Sequence, residues 1–355
     1  MLMIYFCSIL LFQTWVFYPA LVIALGRLKR PSLLNGAESA PLTTTIVIPV
    51  YNSADLIVQK IENCRALEHG AEIPIIVVSD GSTDNIKEVI KEISDQNLTL
   101  LSLKRRSGKS AAQNKAVKAL KTDLILFTDV DALLEKNALT ILKMILVRSP
   151  NVACAGGRIE FVNSNLFQKL YWRFENALRN AESKLGLLTS ISGAAFLVRA
   201  DKFVELDEDT GDDMVIPLDM ALHHQLNTVF ADQIIGGDRL AKNGIDILRS
   251  RRRITQRNLL VIARRRKLLN PVKRPLLAFS ILSHKILRWL TPFLLICILI
   301  STVLAIISHM SGWVTTLTVL LSSFILYLAR NSIIEIAGLF MGVIDFFKKV
   351  RTTYY

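Results

Sequence analysis

The apolar and polar positions divide the chain into three regimes. From Leu2 to Leu25 nearly every side chain is apolar or aromatic, and the first 26 residues carry no charge. At about 1.5 Å per residue, such a helix exceeds the ~30 Å of hydrocarbon in a bilayer. A cleaved leader would have a basic start and a shorter apolar core. Here the positives follow, at Arg27, Lys29 and Arg30. The positive-inside rule puts the N-terminus outside and the following chain in the cytosol. A second stretch without Asp, Glu, Lys or Arg runs from Trp289 to Ala329, 41 residues, which suits two spans turning at His309, Ser311 and Gly312. A last apolar piece, Ile333 to Phe347, contains Glu335 and Asp345 and is short for a span. It reads as an interfacial or re-entrant helix, with Lys348, Lys349 and Arg351 near headgroups.

Between Arg30 and Arg288 the pattern changes to short apolar runs separated by amphipathic pieces. The runs are Thr43–Pro49, Ile75–Ser79, Leu98–Leu103 and Leu124–Thr128. Continuous apolar runs suit parallel strands buried on both faces. Ala54–Leu67, Asn85–Ser94 and Lys109–Leu120 read as the intervening helices. Strand and helix alternate at about 25 residues per unit, the signature of a doubly wound α/β fold. Ligands in such folds bind at the carboxyl ends of the strands.

Three strand ends carry polar motifs: Pro49-Val-Tyr-Asn52, Ser79-Asp-Gly-Ser-Thr-Asp84 and Thr128-Asp-Val-Asp-Ala132. Two carboxylates two positions apart repel unless a cation lies between them. Hard oxygen ligands with few neighbours suit Mg²⁺ or Mn²⁺ holding a diphosphate. Gly108 and Lys109 open a helix whose N-terminus favours anions, but no P-loop surrounds them. Leu166–Leu185 has helical periodicity, and Trp172 on it reads as packing. Ser192-Gly-Ala-Ala-Phe196 is a small-residue strand, whose glycine permits close approach. Gly211-Asp212-Asp213 ends an acidic loop at a helix start, where a carboxylate is either a cap or a general base.

Composition sharpens this. The chain has 355 residues, is 51 % apolar and carries a net charge of +13, which excludes disorder and a small disulfide scaffold. The four cysteines, Cys7, Cys64, Cys154 and Cys297, form no C-x-x-C pair and no zinc pattern. The charge is local. Arg249–Arg274 holds 11 basic residues and no acidic one, while the rest of 27–288 is balanced. Arg253 and Arg257 share a helix face. This strip suits diphosphate capture by its first arginines and lipid headgroups by its later ones. Nucleic acid is a poor fit, because interleaved aromatics are missing and a membrane hairpin adjoins.

Taken together, the motifs resemble the inverting family-2 glycosyltransferases of the GT-A fold, and within them the membrane-embedded polysaccharide synthases. The residues that carry this are IPVYN (48–52), SDGSTD (79–84), GKSAAQN (108–114), TDVDA (128–132), SGAAF (192–196), GDDMVIP (211–217), RRRITQRN (251–258) and SHKILRWLTP (283–292). The resemblance implies that Tyr51 and Asp80 hold the nucleobase, that Lys109 approaches the diphosphate, and that Asp129 orients ribose or diphosphate. It makes Asp131, with Asp129, the ligand of Mg²⁺ or Mn²⁺. Ser192, Gly193 and Asp212 fall on the acceptor side. Asp213 matches the base that deprotonates the attacking hydroxyl, and Arg253 and Arg257 lie near the leaving diphosphate.

The chain departs from the family at Gln113, at Asp219 and His224, and in the Q-x-x-R-W motif. There Ile254 and Asn258 replace the Gln and the Trp. The missing Trp argues for an alternative, non-processive transfer of a single sugar to a lipid-linked oligosaccharide. A sugar-phosphate nucleotidyltransferase would need a Gly-rich loop after strand one, and a polybasic membrane scaffold would not need Asp131 or Asp213.

The expected layout is a transmembrane helix (1–26), a cytosolic GT-A domain (30–270), an amphipathic interfacial segment (271–288), a transmembrane hairpin (289–329) and an interfacial helix with a basic tail (330–355). The implied setting is the plasma (inner) membrane. The implied partners are a nucleotide-sugar, most simply UDP-linked, a saccharide or lipid-linked acceptor, and membrane lipids. The membrane part is small for a channel, so a second copy or an export partner would complete one.

Overall fold

The computed structural model describes residues 2–29, 42–161, 164–238, 243–307, 316, 320 and 333–349. The expected turn at His309, Ser311 and Gly312, and nearly all of the second span of 289–329, lie outside them. The chain forms two compact units, 25–240 and a second built from 1–24 and 241–352.

The first unit holds an eight-stranded sheet, ordered β3-β2-β1-β4-β7-β6-β8-β5. The strands are β1 (Thr44–Val50), β2 (Ile75–Ser79), β3 (Leu98–Ser102), β4 (Leu124–Thr128), β5 (Leu133–Leu134), β6 (Val152–Phe161), β7 (Ala195–Arg199) and β8 (Asn227–Asp238). β1, β2 and β4 are buried along their whole lengths, as their unbroken apolar runs require. The edge strand β3 is only partly buried.

The first four strands run parallel and are connected through the helices Ala54–Arg65, Ile86–Glu92 and Lys109–Lys118. Winding goes outward from β1 to β3, then returns to place β4 on the other side of β1. The β1/β4 boundary is therefore a topological switch point, where strand ends open a crevice. The second half of the sheet differs from a simple doubly wound pattern. β7 runs antiparallel to both β4 and β6, and β8 is parallel to β6 with three register shifts. The core joins Ile46, Ile48, Val77 and Leu126 of the strands to Ile57, Ile61 and Cys64 of the first helix.

The N-terminal helix spans Leu2–Leu28, with a widened turn at Gln13–Phe17, and belongs to the second unit up to Ala24. It packs along a helix that begins at Pro275 and continues to Ile307. The contact is an apolar cluster of Cys7, Leu11 and Ile298. It is pinned by matched polar groups: Tyr18 Oη donates to Ser280 Oγ at 2.8 Å, and Trp15 Nε1 to Thr291 Oγ1 at 3.1 Å. Polar side chains on apolar helices pair with each other because lipid offers no partner. The interfacial segment expected at 271–288 is thus, from Pro275 on, the start of this long helix. Both helices are long and apolar enough to cross a membrane.

The arginine strip forms the helix Gly244–Arg264, and it belongs to this second unit rather than to the 30–270 domain expected from the sequence. The reason is its packing against the helix Ile333–Phe347. Arg251 pairs with Glu335 at 3.1 Å, and Arg252 forms a two-pronged pair with Asp345. The two carboxylates that interrupt the last apolar piece are therefore partners of arginines. Small residues let the helices approach. A Cβ on Gly342 would lie 2.5 Å from the Arg252 carbonyl oxygen and 2.7 Å from Thr255 Cβ. Gly342→Leu is expected to force these helices apart and cost about 1–3 kcal/mol. The readout is a melting temperature lower by several degrees in detergent, with Ala smaller in effect than Leu.

Candidate functional site

The ends of β2, β1 and β4 lie side by side, so the first three motifs meet. Asn52 Oδ1 accepts from Thr83 N–H at 2.8 Å, and the Asn52 N–H donates to Ser82 Oγ at 3.1 Å. Asp84 Oδ2 accepts from Ala54 N–H at 2.9 Å at the start of the first helix. The Arg106 guanidinium lies 3.9 Å over the Tyr51 ring. Asp80 is 1 % exposed, and its oxygens accept from the N–H groups of Ser107 (2.7 Å) and Gly108 (2.8 Å). Gly108 has φ +102, a region that side chains rarely adopt. Asp80 and Gly108 together set the turn that delivers Lys109.

Lys109 is the node. Its Nζ lies 2.6 Å from Asp129 Oδ1, 2.9 Å from Asp212 Oδ2 and 3.0 Å from the Gly193 carbonyl oxygen. An ammonium has three N–H donors, and each has an acceptor here. Burial works against its charge, but the two carboxylates outweigh burial and hold the Lys109 pKa above its ordinary value. Burial raises the pKa of Asp129, with Lys109 opposing and Asp212 and Asp131 adding to the rise. Lys109 thus serves internal carboxylates first.

The helix Lys109–Lys118 also fastens the acidic loop. Asn114 donates to the Leu206 carbonyl and accepts from the Leu206 N–H, both at 2.8 Å, and Ser110 Oγ donates to the Thr210 carbonyl at 3.0 Å. Gln113, a departure from the family pattern, donates to Asp212 Oδ2 at 2.7 Å. Asp212 is therefore buried and turned toward Lys109. Its neighbour Asp213 instead lines a cavity of about 140 Å³ with Ser192, Gly193, Trp172, Asn176 and Arg179. A Cβ on Gly193 would lie 3.4 to 3.7 Å from Asp212, Lys109 and Asp213, in ordinary contact with all three.

Lys60 escaped the sequence reading. It is fully buried on the first helix and donates to Thr128 Oγ1 at 2.8 Å and to the Ala132 carbonyl. It thereby clamps both ends of the Asp129-Val-Asp131 turn. Desolvation lowers its pKa. The available signal was its position: Ile57, Lys60, Ile61 and Cys64 share the buried helix face, where a lysine is out of place.

The Asp129-Val-Asp131 turn offers two hard carboxylates, Asp131 exposed and Asp129 shared with Lys109. Among the described residues no group of three His, Cys, Asp or Glu is gathered for a metal. Mg²⁺ or Mn²⁺ is bound by one or two carboxylates when a diphosphate and water complete the shell, so this donor set fits one. Arg253 and Arg257 lie on the Gly244–Arg264 helix of the other unit.

A sheet of this order, with a carboxylate pair at the switch point, defines a GT-A type domain. Residues 45–206 match the family model Glycosyl transferase family 2. The chain is 28 % identical over 182 residues to an N-acetylglucosaminyltransferase of Azorhizobium caulinodans, covering 48 % of this chain and 46 % of that one. It is 25 % identical over 168 residues to a poly-beta-1,6-N-acetyl-D-glucosamine synthase of Staphylococcus aureus, covering 46 % and 40 %. The chain thus spans less than half the length of these curated relatives. Its fold is similar to that of a mannosyltransferase from Pyrobaculum calidifontis, solved with GDP-mannose and Mn²⁺. The TM-score is 0.78 at 20 % identity, over 98 % of this chain and 99 % of that one.

Lys109→Met leaves two carboxylates facing each other without a cation, which is expected to cost about 3 kcal/mol or more. A lysine whose folded pKa is raised stabilises fully below the unfolded value and loses that contribution as pH climbs through the folded one. The melting-temperature gap between wild type and Lys109→Met should therefore hold from neutral pH to near 10.5, the ordinary lysine value, and shrink only above it.

Proposed function

We propose that this protein is a membrane-anchored, inverting glycosyltransferase of polysaccharide biosynthesis. It moves a sugar from a nucleotide-diphosphate donor, UDP-linked in the simplest reading, to a saccharide or lipid-linked acceptor. The observation that carries the reading is the division of labour between adjacent carboxylates. Asp212 is buried against Lys109 beside the Asp129-Val-Asp131 turn, and Asp213 opens onto a cavity.

The reaction follows from that division. An acceptor hydroxyl in the cavity gives its proton to Asp213 as its oxygen attacks the anomeric carbon of the donor. The bond from that carbon to the diphosphate oxygen breaks on the opposite face, which inverts the configuration. A divalent cation bound at Asp131 and Asp129 would neutralise charge on the leaving diphosphate. Lys109 keeps the Asp129 and Asp212 carboxylates in place. Tyr51 and Asp80 lie at the strand ends assigned to the nucleobase, and Lys60 fixes the turn between the two Asp residues. Ser192 and Gly193 border the acceptor.

The two apolar helices support a membrane setting, as do the outward-facing Leu2, Phe6, Ile9, Ile300 and Leu304. The first helix would place its N-terminus outside and the catalytic domain in the cytosol. The relatives' names support an N-acetylhexosamine donor, while the mannosyltransferase of similar fold brings GDP-mannose into any donor panel.

Detergent-solubilised protein with Mg²⁺ or Mn²⁺ should release nucleoside diphosphate from one of UDP-N-acetylglucosamine, UDP-glucose or GDP-mannose. Asp213→Asn should bind the same donor but lose at least about 100-fold in kcat. Wild-type turnover in that variant would sink the assignment of the base.

A further inference from the structure

The helix Leu166–Leu185 sorts its charges by face. Its two acidic residues, Glu175 and Glu182, are almost fully buried, while Lys169, Arg173 and Lys184 are exposed. The outer face therefore carries cations and no anion.

The same face is apolar over its first turns. Leu166, Phe167 and Leu170 are 69 %, 65 % and 51 % exposed. Leu166, Leu170, Arg173 and Ala177 follow one another at spacings of four, three and four, so they form one stripe, with Phe167 and Lys169 on its flanks. The inner face is buried through Leu178 and Ala181. A single exposed leucine is ordinary on a protein surface. Three large apolar side chains within five residues, rimmed by cations alone, are the pattern of a helix that lies in a membrane interface.

The place of this helix agrees with that pattern. Gly26 and Ala181 belong to the same compact unit, and a Cβ on Gly26 would lie 2.8 Å from Ala181 Cβ. Gly26 directly precedes Arg27, the first charge after the N-terminal apolar stretch. The helix Leu166–Leu185 is thus fastened beside the headgroup-level end of the candidate span Leu2–Leu28. Charge also chooses between a bilayer and a second copy of the chain. Two copies joined through this face by a twofold axis would set the same cations against each other. An anionic bilayer attracts all three and takes up the apolar side chains as well.

We propose that the outer face of the helix Leu166–Leu185 docks on an anionic bilayer surface, on the side where Arg27 leaves it. Leu166, Phe167 and Leu170 enter the boundary between headgroups and acyl chains, and Lys169, Arg173 and Lys184 meet lipid phosphates. Because Trp172, Asn176 and Arg179 of this helix line the cavity beside Asp213, the contact holds one wall of that cavity at the membrane. The proposal rests on the membrane-anchored part of the reading above and not on its chemistry.

The test uses the whole chain in nanodiscs of phosphatidylcholine and phosphatidylglycerol, with lipid carrying a doxyl quencher near the headgroup. A bimane label is attached after Phe167→Cys or Leu170→Cys. Ile300→Cys is the reference for the span, and Lys91→Cys, on the exposed side of the helix Ile86–Glu92, is the reference for solvent. Wild type carried through the same labelling gives the background of Cys7, Cys64, Cys154 and Cys297. Quenching at 167 and 170 is expected to exceed that at 91 by at least about twofold. Lys169→Glu combined with Arg173→Glu is expected to remove about half of that excess or more. Quenching at 167 and 170 no greater than at 91 overturns the proposal, as does an excess that the double substitution leaves intact. Cross-linking between chains at 167 or 170 without quenching overturns it in favour of a second copy. The label at 300 separates the two levels. Quenching at 300 but not at 167 or 170 fails this proposal alone, whereas no quenching at 300 fails the membrane-anchored reading as well.

Discussion

A single ammonium holds the site together. Lys109 lies between Asp129, at the end of β4, and Asp212, at the head of the helix Asp212–Asp219, while touching the Gly193 carbonyl. These three points come from segments far apart in sequence. Without the cation, two carboxylates would face each other in a partly dry crevice, and that repulsion would open the junction between the donor motifs and the base. With it, the site is preorganised before any substrate arrives. The remaining local features serve that placement. Asp80 fixes the turn before Lys109, Gly108 supplies its backbone angle, and Gln113 steadies the far carboxylate.

Charge in the rest of the chain obeys the same economy. The +13 looked like a basic surface, but much of the strip that produces it is engaged in structure. Arg251 and Arg252 are paired with Glu335 and Asp345 from the last described helix. A carboxylate in an apolar segment is expensive unless paired, and here the pairing explains why two of them interrupt that segment. The strip therefore joins elements of the second unit as well as presenting positive charge.

Much of the architecture was legible in the sequence, for a physical reason. Strands buried on both faces must be continuous apolar runs, and β1, β2 and β4 announced themselves that way, with the partly buried edge strand β3 showing a similar run. The polar motifs at their ends stood out because carboxylates have no packing use there. What was not legible depended on tertiary direction. Nothing in Asp212-Asp213 says which carboxylate turns inward. Lys60 reads as one more lysine on an amphipathic helix until its partners at Thr128 and Ala132 are seen. Trp172 read as packing, and it does pack on Phe161, but its other side opens on a cavity with Asn176. The antiparallel β7 and the allegiance of the arginine helix depend on contacts between distant segments, which local pattern does not encode.

The clamp between Asn114 and Leu206 has a kinetic consequence. It ties the acidic loop, and so Asp213 that follows it, to the same helix that begins with Lys109. In the proposed reaction the carboxylates beside the donor and the proton acceptor would then ride on one rigid part instead of on two that swing independently. A shift of that helix would displace both in the same motion, so a substitution on it would change substrate affinity and turnover together.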